Sequence, residues 1–156
     1  SDSNASVELL ETLSPAPRLM PADPYQAATV RALLGYHDTR VEAAARKLFP
    51  VIKSDWRAEP DIVEAGVADI EAARERRDQM ITPAPFVLGE APSLADLAYP
   101  VTLQMAEMMA AEMQRPLRVP PRIDAWRRET AEIAAVGRSL GIAGEAMEGW
   151  MAGFRG

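Results

Sequence analysis

The chain has 156 residues, 13 prolines, no cysteine, one histidine and a net charge of −6, and a chain of this length buries roughly 70% of its unfolded surface, enough for one domain with its own core. Without cysteine there is no disulfide, thiol nucleophile or thiolate metal site, and one histidine leaves any metal role to carboxylates, so no metal is expected. The acidic balance gives a phosphate backbone nothing to bind, and no apolar run reaches the ~18 residues of a membrane span, so neither nucleic acid nor membrane is expected as partner and a cytoplasmic location is.

Aromatic residues make up only 6% of the chain, and alanine, leucine, valine and methionine carry most of the hydrophobic content, which predicts an all-α fold. Lysine occurs only at Lys47 and Lys53 among 17 basic residues, a codon bias suggesting a GC-rich bacterial source. Prolines mark the joints, because a proline suits the first turn of a helix and breaks its interior.

A short opening helix gives way to a linker rich in proline. Asp23 as N-cap and Pro24 at the first helical position then start a long helix predicted to reach about Phe49, ahead of Pro50. Val30, Leu33, Leu34, His37, Val41, Ala44, Ala45 and Leu48 share one face of it. Pro60 and Asp61 open the next helix, where Val63, Val67, Ile70 and Arg74 recur at helical spacing. The charge run from Glu71 to Asp78, including Arg74, Arg76 and Arg77, reads as a solvated face with helix-spaced ion pairs.

After Thr82-Pro83-Ala84-Pro85, the apolar Phe86-Val87-Leu88-Gly89 comes to a turn. Ser93-Leu94-Ala95-Asp96 is a capping box, in which serine and aspartate satisfy each other's free backbone N–H groups at a helix start. Leu94, Leu97, Ala98, Val101, Met105, Met108 and Met109 make the helix that follows apolar on nearly every side, as a buried central helix should be, and Pro100 is expected to bend it. Pro121 starts a further helix with Ile123, Trp126, Thr130, Ile133 and Ala134 on one side, expected to end at Gly137 or Gly141. A last amphipathic stretch carries Met147, Trp150, Met151 and Phe154.

Phe86-Val87-Leu88-Gly89, Pro92-Ser93-Leu94-Ala95-Asp96-Leu97-Ala98, and Pro121 with Trp126 together resemble the C-terminal helical domain of the cytosolic glutathione transferases. Leu19-Met20-Pro21-Ala22-Asp23-Pro24 is similar to the linker into that domain. The resemblance implies that residues 1–14 are the last helix of a thioredoxin-like domain whose remainder is missing, residues 15–23 the linker, and residues 24–156 the all-helical domain. Asp2-Ser3 is similar to the acidic-serine motif opening that last helix, although Ser6 and Leu9 stand where an aliphatic and an aromatic residue are usual; a rival reading makes the first few residues a cloning remnant.

The reaction so implied is attack of the glutathione thiolate on an electrophile, with the activating hydroxyl or thiol in the thioredoxin-like domain and no catalytic residue here. Asp2 would hold the γ-glutamyl ammonium and Ser3 its carboxylate, glutathione serving as co-substrate; otherwise Ser3 is an ordinary N-cap serine. Tyr36, His37, Arg40 and Trp150 would border a cleft for a small hydrophobic electrophile; otherwise Tyr36 and Arg40 are surface or dimer-contact residues, His37 a hydrogen-bonded core residue and Trp150 plain packing. Met105, Met108, Met109 and Met113 are either an adaptable substrate wall or core. The family also implies a homodimer through the first two long helices. The alternative function is a non-catalytic protein-interaction module on the same fold.

Overall fold

The computed structural model describes residues 3–14 and 16–154. Among them are eight α-helices, one π-helical turn and no strand, the only extended pairing being an isolated bridge between Phe86 and Gly89. The order is α1 (Ser3–Leu13), α2 (Pro24–Tyr36), a π turn (His37–Val41), α3 (Glu42–Arg46), α4 (Leu48–Lys53), α5 (Pro60–Met80), α6 (Leu94–Glu112), α7 (Pro121–Ala131) and α8 (Ala134–Ala152).

Asp23 caps α2 as expected, its carboxylate accepting from Gln26 N at 2.8 Å, with Pro24 in the first turn. The long helix does not end at Phe49. It passes through the π turn and α3, tightens at Lys47, and resumes as α4 to Lys53 with Pro50 inside. Pro50 is tolerated there because it falls in the first turn of α4, where a missing N–H deprives no intrahelical acceptor. The predicted face is the buried one: Val30, Leu33, Leu34, His37, Val41, Ala44, Ala45 and Leu48 are all buried.

The capping box forms at the start of α6. This helix threads three apolar clusters. Leu94 and Ala95 meet Val30, Leu33, Leu34 and Ile81. Tyr99 and Leu103 meet Val41, Ile123 and Trp126. Met109 and Met113 meet Leu48, Ile70, Met147 and Met151, with Met105 and Met108 packed partly buried against that last group. Burying α6 on all sides is what its near-continuous apolar surface requires. Pro100 stands in its interior, buried.

Two further expectations are corrected here. α7 stops at Ala131 rather than at Gly137 or Gly141, and both glycines lie inside α8. Ile133, with φ −67° and ψ 112°, breaks the helical path, and a Cβ on Gly137 would stand 2.8 Å from the carbonyl oxygen of Ala131, so this corner closes only with glycine in the first turn of α8.

The run from Glu71 to Asp78 is not a solvated face throughout: Arg74, Arg77 and Asp78 are buried, while Arg76 is exposed. Arg77 lies over the rings of Trp126 at 4.7 Å and Tyr99 at 5.2 Å, and its Nε and Nη2 donate to Asp78 Oδ1 at 2.9 and 2.6 Å. A guanidinium can be buried in this way, its charge near aromatic rings and its N–H groups on a carboxylate.

Candidate functional site

The site is built where α1 lies against α2 and the amino end of α6. Val7 packs onto the cluster around Leu34 and Leu94. Glu8 takes a bidentate bond from Arg31, at 2.8 and 3.0 Å, and these hydrogen bonds hold its carboxyl below the usual carboxylate range. Glu11 accepts from the backbone N–H groups of Leu19 and Met20, at 3.2 and 3.0 Å. Leu9 and Leu13 are 59% and 71% exposed, and Leu10, 61% exposed, stands at the rim of the cavity described next.

Between α1, α2 and α6 opens a cavity of about 480 Å³, apolar along Val7, Leu34, Leu94 and Leu97 and polar at the end formed by Ser3, Asn4, His37 and Asp38. Asn4 Nδ2 donates to Asp38 Oδ2 at 2.7 Å. The other carboxylate oxygen of Asp38 lies 2.7 Å from His37 Nδ1, and His37 Nε2 lies 2.9 Å from the hydroxyl of Thr102 on α6. A carboxylate only accepts, so Nδ1 carries the proton toward Asp38, and in the neutral ring Nε2 accepts from Thr102. The His37 ring also meets Tyr99 edge-on with centroids 5.0 Å apart. The π turn places His37 and Asp38 so that one is buried in the core while the other reaches α1, a usual role for a single wide turn.

Ligand atoms of His37, Asp38 and Glu42 lie within 4.8 Å of one another. Both ring nitrogens of His37 already have partners, and Glu42 receives Arg46 at 2.5 Å, so a cation there would have to displace existing bonds.

The expected site residues divide. Ser3 and His37 share the cavity; Asp2 lies outside the described residues. Tyr36 and Arg40 border a different groove, with Lys47 and Asp69, between the long helical rod and α5, and the Tyr36 hydroxyl donates to the carbonyl of Ala73 at 3.1 Å. Trp150 sits on α8, packed against Phe49 and Phe154 at 5.2 Å each, with Lys53 over its ring at 5.6 Å. Asn4, Asp38 and Thr102 were not singled out from the sequence; the one signal available was the adjacency of Asp38 to the single histidine.

The capping-box residues anchor this end of the molecule. Asp96 is fully buried, and its two carboxylate oxygens accept from the N–H of Val87, the indole N–H of Trp126, and both the N–H and the hydroxyl of Ser93, each at 2.8 Å. Gly89, at φ 114°, gives the preceding turn the left-handed backbone that returns Val87 to Asp96. Leu94 N donates to the carbonyl of Leu19 at 3.1 Å, joining the capped end of α6 to the linker after α1.

No family model matches the chain. It is 28% identical over 113 residues to a glutathione S-transferase of Pseudomonas putida, covering 72% of this chain and 51% of the relative, so it spans about half the length of that curated protein. Its structure is similar to the holo structure of maleyl pyruvate isomerase, a bacterial glutathione S-transferase of the Zeta class, with a TM-score of 0.70 and 26% identity over 92% of this chain and 68% of that one. The all-helical architecture is that of the helical domain of this family, and the chain is related to the glutathione transferases.

Proposed function

With a glutathione transferase relationship as premise, we propose that residues 24–156 form the substrate-binding helical domain of a glutathione-dependent enzyme and that residues 1–14 are the last helix of its thioredoxin-like domain. The observation that carries this reading is the bond between Asn4 and Asp38, which fixes the amino end of α1 beside an apolar cavity. Ser3 begins α1, where the positive end of the helix dipole suits a carboxylate such as that of the γ-glutamyl group. Asp38, held by His37, which Thr102 holds in turn, then acts as a positioning residue for that end of the helix. Leu34, Leu94 and Leu97 supply the apolar wall that a hydrophobic electrophile requires. Exposed Leu9 and Leu13 of α1 are the face that the thioredoxin-like domain would cover.

The chemistry is transfer of the glutathione sulfur to an electrophile, with the thiol activated in the thioredoxin-like domain. The groove bordered by Tyr36, Arg40, Lys47 and Asp69 would meet a second copy, giving a homodimer through the two long helical segments; a cytoplasmic location fits that assignment. The test is turnover of glutathione with a generic electrophile, together with retention on immobilised glutathione, by the whole protein carrying this domain. Both are expected. Absence of both would favour an association module on the same fold.

A further inference from the structure

A second cavity, of about 740 Å³, lies between α5 and the segment leading into α7, with Arg74, Glu75, Arg118 and Arg122 in its wall. Beneath it, three guanidinium groups meet two carboxylates. Arg74 and Arg127 share Glu107, at 3.4 and 2.7 Å, and Arg77 holds Asp78 at 2.6 Å. Arg74 is 3% exposed and Arg77 is 0% exposed, yet Nη1 and Nη2 of Arg74 and Nη1 of Arg77 have no hydrogen-bond partner among the described residues. A buried cation without its hydrogen bonds is strongly disfavoured, and native structures satisfy such groups with a partner. Burial lowers the pKa of Arg74 against the support of nearby Glu107.

We propose that this cavity binds a small carboxylate, whose two oxygens pair with the amino nitrogens of Arg74 in the planar fork that guanidinium groups form with carboxylates. Arg118 and Arg122 stand in the same wall, although Arg122 also donates to the carbonyl of Asp78. Glu71 and Glu75 belong to the wall as well, and their charge selects a monoanion over a phosphate dianion. The amino nitrogens of Arg74 are shielded from solvent, so entry requires the wall to part locally. This site shares no residue with the cavity beside α1 and does not depend on the proposed enzymatic role.

The probe is sodium acetate, titrated into the arginine-labelled chain with sodium chloride withdrawn to hold ionic strength constant. The Nε–H resonance of Arg74 is expected to shift along a saturating curve in the millimolar range, with inorganic phosphate weaker. Arg118→Gln should weaken the response several-fold, and Arg74→Met should abolish it. A shift that stays linear, or that chloride reproduces, would overturn the proposal and leave water as the occupant. The wild-type titration decides the matter even where Arg74→Met fails to fold.

Discussion

At the scale of single residues, the fold converges on Asp96. One buried carboxylate satisfies a loop N–H, an indole N–H and both donors of Ser93, so it ties together the turn before α6, α6 itself and α7. Asp96→Ala leaves several buried donors unpaired and is expected to destabilise the chain by at least about 3 kcal/mol, against about 1 kcal/mol for Ser93→Ala, measured by chemical denaturation. Equal losses would show that the cap rather than the hub matters. Tyr99 gives a pH signature. Burial raises its pKa well above the ordinary value of 10.0, and its hydroxyl donates to the carbonyl of Leu33 at 2.6 Å. A raised folded-state pKa contributes stability that is whole below the unfolded pKa and is lost as pH climbs toward the folded one. Thermal unfolding should therefore fall above about pH 10, and Tyr99→Phe should flatten that fall. The capping residues were legible in the sequence because a cap is a local pattern. The burial of Arg77 was half legible: Arg74 continues the stripe of Val63, Val67 and Ile70, and Arg77 follows one turn later, but the aromatic faces that accept it come from α6 and α7. Asp38 was not legible, because its partner Asn4 lies 34 positions away and Thr102, which fixes the neighbouring His37, lies 65 positions from that histidine, so the group assembles only once α1 and α6 are packed.

At the scale of elements, the rod from Pro24 to Lys53 shows how far periodicity carries. Its buried face was read correctly through the π turn, since Val41 and Ala44 still fall inward, whereas the turn itself left no mark in the pattern. Helix ends were read less well where glycine served a tertiary purpose. Gly137 looks like a terminator in the sequence, yet it opens α8, because the carbonyl of Ala131 occupies the place of a side chain. Gly137→Ala should thus destabilise by about 1 to 3 kcal/mol, despite the better helix propensity of alanine. A neutral or stabilising result in the same denaturation experiment would contradict the close approach.

At the scale of the whole molecule, α6 is the axis on which three clusters meet, and α1 is the appendage that orients the site. Charged pairs as exposed as Glu8 and Arg31 contribute little to stability, so the position of α1 depends mainly on Val7, on Glu11 at the linker, and on Asn4 held by Asp38. The family resemblance was legible from the capping box, the turn at Gly89 and Trp126, the residues that Asp96 brings together. The proposed role of Asp38 is to set the amino end of α1, where glutathione is proposed to bind. It is tested most directly by calorimetric titration of glutathione into the whole protein carrying this domain, wild type against Asp38→Asn. Loss of a charge-assisted bond should weaken binding about tenfold or more, with the helical content by circular dichroism unchanged. Equal affinities in the two proteins would contradict the account.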